Sequence, residues 1–500
     1  MARYKTYDYR QRVLLPVSLE DQLMPGTLEF AIHTLVEKRL DLTIFEDKYR
    51  NDETGRAAYD PKIILKVVLL AYSRGLISSR KIEQACRENV VFIALACGQQ
   101  PDHSTIAAFV SSLKDEILPI FRDVLLVCEE MNLLGGTMFA LDGCKLPSNA
   151  SKEWSGTIAE LRKKKEKIEI KVAQLLEEQM QADRGQDDPP GPKASGPNRQ
   201  QQMEKLHKKA GLIETWLAEN QPKLGAAGRE KQSNITDNDS ATMMTSHGVV
   251  QGYNSQALID GKHQVIVHGE AFGNGQDHGH VPPMLTGALE NLQSLGHEPD
   301  YFKEKILTAD SNYHTQVNLK ECQELGLDAY IPDRKFRNRD PRFATQKRRQ
   351  VRRFTLKDFR YEEALDQYIC PDGKILKLRV KRVLNRGHLY RKYYAAEKDC
   401  QACPLRPRCI YAAGAKRKQL FVPIGESLSR QMVEKIETEE GRRIYPQRLA
   451  IAEPVFANIR INKRLDRFTL RGKIKVNIQW LMFCLVHNIE KILNYGLAPV

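Results

Sequence analysis

Apolar residues recur at intervals of three and four over residues 27–38, 61–73, 79–88 and 104–129, with Ser, Thr or Pro near each start, so the first 130 positions predict short helices. Turn-forming stretches at 75–78 and 98–102 separate them. That arrangement suits a helix-turn-helix docking on DNA and equally a helical cap with no ligand. The period then changes. Residues 137–141 form a short apolar run ending at Asp142-Gly143, which predicts a strand followed by a turn. Further strands are expected at 249–259, 264–269, 305–308 and 327–331, with helices at 281–295 and 315–325 between the later ones. Such an order predicts an α/β fold, a mixed sheet covered by helices.

Two insertions break the pattern. In residues 151–233, Leu161, Ile168, Val172 and Leu175 keep a heptad-like spacing, as do Met203, Leu206, Ala210, Ile213 and Leu217. A Pro- and Gly-rich stretch at 185–197 lies between them, so a helical hairpin with a flexible tip is expected. It could be an arm for DNA or a second subunit, or a self-packed surface hairpin. Residues 333–440 form a second insertion, basic and loop-rich, and 446–493 read as helical again. The expected modules are therefore 1–130, a helical DNA-binding domain; 131–150 and 234–332, two parts of a catalytic domain; 151–233 and 333–440, the insertions; and 441–500, C-terminal catalytic helices.

Charge narrows the class. The chain carries 77 Lys and Arg against 63 Asp and Glu, and residues 331–420 alone hold 26 basic and 9 acidic residues, a local +17 that exceeds the net +14 of all 500 residues. A polyanion, nucleic acid first, is the partner this implies. No apolar stretch approaches the ~20 residues of a membrane span, and residues 1–11 lack a secretory apolar core, so a cytoplasmic protein of the bacterial cytosol and nucleoid is expected. Of ten cysteines, Cys86, Cys97, Cys128, Cys322 and Cys484 read as single core-filling thiols. Cys400-x2-Cys403-x5-Cys409, with Cys370 upstream, differs: four thiolates suit a structural Zn²⁺, with His388 as a lone alternative ligand, and free thiols in a reducing compartment remain the other reading.

Asp142 and Asp310 each close an apolar run, and carboxylates at strand ends sit where open sheets place their sites. Near the C-terminus stand Tyr445, Arg448, Glu453 and Arg460. On a regular helix Glu453 and Arg460, seven apart, share a face, an acid for metal two turns from a base for phosphate, with Pro454 expected to kink the helix. Together with Leu141-Asp142-Gly143-x-Lys145, Gly252-Tyr253-Asn254-x-Gln256, Ala309-Asp310-Ser311-x-Tyr313 and Glu453-Pro454-Val455-Phe456, these residues resemble the insertion-sequence DDE transposases whose last helix carries Tyr-x2-Arg, Glu, then x6 and Lys. Ser78-Ser79-Arg80-Lys81-Ile82 and Pro101-Asp102-His103-Ser104-Thr105-Ile106 resemble that group's N-terminal domain.

The resemblance implies a ribonuclease H-like catalytic fold, two Mg²⁺ or Mn²⁺ ions on Asp142, Asp310 and Glu453, phosphate contacts from Lys145, Tyr445, Arg448 and Arg460, and a homodimer assembled on double-stranded DNA. Element ends would be cut by hydrolysis and the freed 3′-OH transferred into target DNA. Three departures stand out. Arg448 precedes Glu453 by five positions where four is common, Arg460 replaces Lys, and Cys144 and Asn312 occupy places often held by Thr or Ser and by Gly. A catalytically inactive, repurposed DNA-binding protein is the alternative. A zinc-stabilised RNA-binding factor would leave the three acids without a role.

Overall fold

A computed structural model describes residues 18–48, 57–184, 197–225, 228–246, 248–346, 353–385, 388–410, 412, 414–425 and 427–496. Six helices come first: α1 (Leu28–Lys38), α2 (Pro61–Ser73), α3 (Ser79–Glu88), α4 (Val90–Leu95), α5 (His103–Ser112) and α6 (Ile117–Glu130). Their starts are set by side-chain caps. Thr27 accepts from Phe30 N, Asp60 from Lys62 N ahead of Pro61, and Asp102 from Ser104 N and Thr105 N. The single helix expected over 104–129 is two. Ser111 and Ser112 turn their hydroxyls back onto the carbonyls of Ala108 (3.1 Å) and Phe109 (2.9 Å), and the chain bends through residues 113–116 before α6. Helix α4 adds to the expected set; its cap is Asn89, whose side chain accepts from Val91 N.

Next come β1 (Met138–Pro147), β2 (Ser155–Gly156), α7 (Ile158–Arg184), α8 (Pro197–Glu219), β3 (Ser233–Asn234), β4 (Ala241–Thr245), β5 (Gly248–Asp260), β6 (Ile266–Phe272), α9 (Val281–Ser294) and β7 (Ile306–Ala309). Then follow α10 (Gln316–Glu324), β8 (Asp328–Tyr330), α11 (Phe336–Arg339), β9 (Arg360–Glu362), β10 (Gln367–Ile369), β11 (Ile375–Asn385), β12 (His388–Ala395), α12 (Glu397–Gln401), α13 (Arg406–Cys409), β13 (Gln419–Pro423), α14 (Leu428–Glu437) and α15 (Glu439–Ile444). The chain closes with α16 (Gln447–Ala457), a π-helical turn at Asn458–Asn462, and α17 (Lys473–Tyr495). Two compact units result: residues 1–309, 325–328 and 447–500 form one, and residues 310–324 and 329–446 the other.

The first unit holds a mixed sheet. β5 is long enough to pair with β4 and then β6 along one edge while β1 runs antiparallel along the other, and β1 pairs in parallel with β7. Beyond β7 the N–H of Asp328 donates to Lys305 O at 2.8 Å. Helix α17 is the spine of this unit. It is buried along most of its length and meets α1, α2, α5 and α6 as well as β6. Its polar side chains are spent on the sheet. Asn488 takes Ile266 N and O (2.8 Å each), and Trp480 Nε1 donates to Gln256 O (3.0 Å). On its other side Phe483 stacks on Tyr72 of α2 at 4.8 Å. The N-terminal helices and the sheet thus share one core.

Helices α7 and α8 pack on each other through Leu161, Ile213 and Trp216, and the loop expected at 185–197 falls almost wholly outside the described residues. In the second unit the loop-rich insertion expected over 333–440 is corrected. It contains a five-stranded antiparallel sheet in the order β13-β12-β11-β10-β9. Leu376, Tyr393 and Leu420 from three of its strands meet Phe359, Tyr368 and Cys400 in its core. The alternation from Leu376 to Lys381 is a period-two strand pattern whose outward half is Lys and Arg. Among the described residues no helix is long and apolar enough to cross a membrane.

Candidate functional site

Asp142 does not end its strand. β1 continues to Pro147, with Asp142 paired to Ala257 and Gly143 to Gln256, so the turn expected at Asp142-Gly143 is absent. The reason lies in β5, which supplies a paired edge as far as Gly252. The parallel pairing on the other edge does stop here. Leu141 opposite Ala309 is its last pair, and the next residues along the chain are Asp142 and Asp310.

The pleat sorts the candidates. Asp142, Cys144 and Leu146 share one face of β1, and Gly143 and Lys145 the other. Behind Gly143 lies a buried polar network. Gln256 Nε2 donates to Asn254 Oδ1 and to Asp277 Oδ1 (3.0 Å each), and Asn254 Nδ2 donates to the same Asp277 oxygen at 2.7 Å. A Cβ on Gly143 would stand 2.0 Å from Gln256 Nε2, so any larger residue would push that amide out of its buried network. Tyr253, on the opposite face of β5, donates its hydroxyl to Asp237 at 2.7 Å, and burial first, then this carboxylate, pushes its pKa up. The Gly-Tyr-Asn-x-Gln motif is thereby a packing device as well as a signature. Asp277 escapes a reading of the sequence; it sits in a Gly-rich loop that gives no signal beyond its turn residues.

On the other face Arg448 reaches back from the start of α16, and its Nη1 donates to Asp142 Oδ2 at 2.5 Å; Asp142 Oδ1 accepts from Gly143 N at 2.8 Å. Both side chains are mostly buried, 12% and 21% exposed. Five residues on a regular helix is a rotation of about 140° between residues after whole turns are removed. Arg448 therefore points to β1 with Ile451, Ala452 and Val455, while Glu453 is exposed. Pro454 does not end α16. Its missing N–H leaves the carbonyl of Ala450 without a helix donor, and Gln264 Nε2 supplies one at 2.9 Å. The π-helical turn begins four residues later, so the regular spacing that would align Glu453 with Arg460 does not extend through it. Arg460 is exposed, and its charge still reaches Cys144. Burial pushes that thiol up to about 12, Arg460 draws it down and Asp142 raises it.

Lys145 lies on the face away from Asp142 and donates to Met244 O at 3.2 Å. In the second unit Asp310 caps the turn Ser311–Tyr313, accepting from Asn312 N at 2.7 Å. Four residues on, both ring nitrogens of His314 are engaged, Nδ1 with Ile331 O and Nε2 with Ser429 Oγ, each at 2.7 Å. Tyr445 packs edge-on against Phe336, ring centres 5.3 Å apart. The motif Tyr445-x2-Arg448 is divided between the units, Pro446 closing one and Gln447 reopening the other.

Cys370, Cys400 and Cys409 gather at the core of the second unit's sheet. Lys374 N donates to Cys370 Sγ (3.3 Å) and Lys418 N to Cys400 Sγ (3.4 Å). Burial raises the Cys409 thiol, Lys418 lowers it, and Cys400, Cys370 and Cys403 raise it further; burial is also the first cause of the rise at Cys403, where Cys370 contributes. Among the described residues no group of three or more His, Cys, Asp or Glu is drawn tightly enough together to hold a metal ion. The side chain of His388 lies outside the described residues. Of the thiols expected to fill cores, Cys97 is instead exposed, in a left-handed turn (φ 49°) after α4.

Residues 17–112, spanning α1 to α5, match the transposase domain (DUF772), and residues 369–493, from the end of β10 into α17, match the transposase DDE domain. No curated protein matches the chain. The resemblance to the insertion-sequence DDE transposases is borne out by these two segments, both of which match transposase domains, and DNA is the partner such domains imply. The second match contains the four clustered cysteines, Tyr445, Arg448, Glu453 and Arg460; Asp142 and Asp310 lie outside both.

Proposed function

We propose that this chain is an active DDE transposase that hydrolyses phosphodiesters at element ends and transfers the 3′-OH into target DNA, with Asp142, Asp310 and Glu453 as its acids. The observation that carries this reading is the register of β1 with β7. Their parallel pairing stops at Leu141 and Ala309 and the chain continues in each case with an aspartate; α16 packs on β1 through Arg448, and Glu453, on its exposed side, enters by the resemblance. The antiparallel β6, β5 and β1 followed by parallel β7 support a ribonuclease H-like catalytic fold.

In kind the donors suit Mg²⁺ or Mn²⁺, since three carboxylates offer hard oxygens and no softer ligand; among the described residues they are not drawn together into a ready-made site. Two such ions held by Asp142, Asp310 and Glu453 would activate a water and steady the leaving 3′ oxygen. The rest falls to the chain. Arg448 orients the Asp142 carboxylate and, with Arg460 and Tyr445, is suited to hold phosphate near the cleaved bond. Lys145, on the far face of β1, would meet a different phosphate. Two element ends must be brought together, which calls for a dimer on DNA, in the cytosol where the nucleoid lies. Cys370, Cys400, Cys403 and Cys409 are four sulfurs suited in kind to a structural Zn²⁺, which would have to draw them closer together than they stand here.

Cleavage of a duplex carrying the element's end, with Mg²⁺ or Mn²⁺, tests the catalytic assignment. Asp310→Asn is expected to keep DNA binding and lose at least about 100-fold in cleavage, the scale of removing a charge-stabilising group from an active site. Unchanged cleavage in that variant would refute the assignment. A parent chain that binds ends and cuts none under any divalent ion would favour the inactive alternative.

A further inference from the structure

The five-stranded sheet of the second unit buries one face and leaves the other open along β11 to β13. Leu376, Tyr393 and Leu420 turn into the core. The opposite face carries Lys377, Tyr394 and Gln419 in one cross-strand row and Lys392 beside Phe421 in the next. Across β11, β12 and β13 the sequence holds six basic residues and no acidic one. The acid on this face stands at its far end, where Glu362 of β9 closes the Lys377 row and accepts from Gln367 of β10; a second acid is held on the sheet's other side. Asp366 accepts from Tyr361 and Tyr393 and sits 3.8 Å from Arg391.

We propose that this open face is a docking surface for the phosphate backbone of double-stranded DNA, with Lys377, Lys392 and Arg417 as its principal contacts. Charge complementarity names a polyanion, and the arrangement of the aromatics selects a duplex over a single strand. A single-strand platform needs ring faces free for bases to stack on. Here the rings are already covered by cations. Lys392 Nζ lies 4.6 Å from the centre of the Phe421 ring, and the Arg417 guanidinium 4.9 Å from that of Tyr394. The rings hold the long cationic side chains in place, which lowers the entropy lost when phosphate is bound. Non-specific backbone contact, not base reading, is what such a face supplies.

The docking role rests on DNA as the partner and not on the carboxylates, so it is tested in EDTA, where cleavage plays no part. Binding of the full-length chain to a fluorescent random-sequence duplex is followed over a range of salt concentrations. Each phosphate that a variant leaves unneutralised should flatten the plot of log affinity against log salt by about 0.9. The triple variant Lys377→Ala/Lys392→Ala/Arg417→Ala is expected to bind at least about tenfold more weakly with a slope reduced by roughly 2 to 3. Lys163→Ala/Lys167→Ala/Lys171→Ala, which removes equal charge from exposed positions of α7, is expected to leave the slope unchanged. The exchange Lys377→Arg/Lys392→Arg/Arg417→Lys should restore binding and so separates lost charge from lost fold. An unchanged slope in the first variant, an equal weakening in the α7 variant, or a weakening confined to single-stranded DNA of the same length would overturn the proposal.

Discussion

Gly143 has Gln256 on one side of it and Asp142 next to it in the chain, so a single methyl group there reaches both the buried amide network and the candidate acid. Gly143→Ala is expected to cost about 1–3 kcal/mol, the usual range for overpacking a filled core, read as a lower urea midpoint with unchanged slope. Stability equal to the parent would mean that Gln256 moves aside freely. Arg448→Gln removes the guanidinium from a carboxylate that is mostly buried. It should destabilise by up to about 3 kcal/mol, less than a fully buried pair because water still reaches Asp142, and no change at all would discount the pair. Sequence marks Asp142 as a candidate and misplaces it. Asp-Gly is a common turn dipeptide, and only the pairing edge of β5 keeps it in a strand, a fact that lies more than 100 positions away in the chain. The unusual spacing of Arg448 has a physical counterpart, since the five-residue step turns Arg448 and Glu453 to different sides of α16.

Among the larger pieces, the helices whose caps are written locally are legible, and those shaped by distant partners are not. Thr27, Asp60 and Asp102 announce their helices; the persistence of α16 past Pro454 depends on Gln264 from the β5–β6 turn, which no local pattern reveals. The strands β11 to β13 read as loop because charge on the outward positions masks the alternation. The thiols beside that sheet give a prediction of their own. Purified protein should carry about one Zn²⁺ per chain by elemental analysis, and chelation should lower the melting temperature; Cys403→Ser should abolish the metal while Cys97→Ser leaves it. A metal-free sample that is fully folded and unaffected by chelator would remove zinc from the account and leave reduced thiols in its place.

Three buried histidines surround β6 and make the first unit sensitive to acid. Burial, then Arg122, lowers His268 to about 4; burial lowers His280 to about 4 despite Asp277; burial, then Lys463, lowers His487 to about 3. Each binds a proton more readily in the unfolded chain, whose histidines keep a pKa near 6.5. Stability is therefore complete above about pH 6.5 and is lost as pH falls through the folded-state values, by up to about 1.4 kcal/mol per pH unit per histidine. Urea midpoints measured from pH 7 to 4 should fall accordingly. His268→Gln and His487→Asn should flatten the decline, and a flat profile in the parent would contradict the burial of all three.

Helix α17 has a consequence in time as well as in space. The core it fills is begun by residues before 310, yet α17 starts at Lys473, after the whole second unit has been synthesised. At about 5–20 residues per second, the ribosome needs roughly ten to thirty seconds to cover that interval. For that period the apolar side of β6 and the inner faces of α2 and α6 wait without their partner. The first unit cannot mature on the ribosome in the order in which it is written, and chains released before Lys473 should be caught by chaperones or aggregate, whereas the second unit, whose last residue is Pro446, can already have folded.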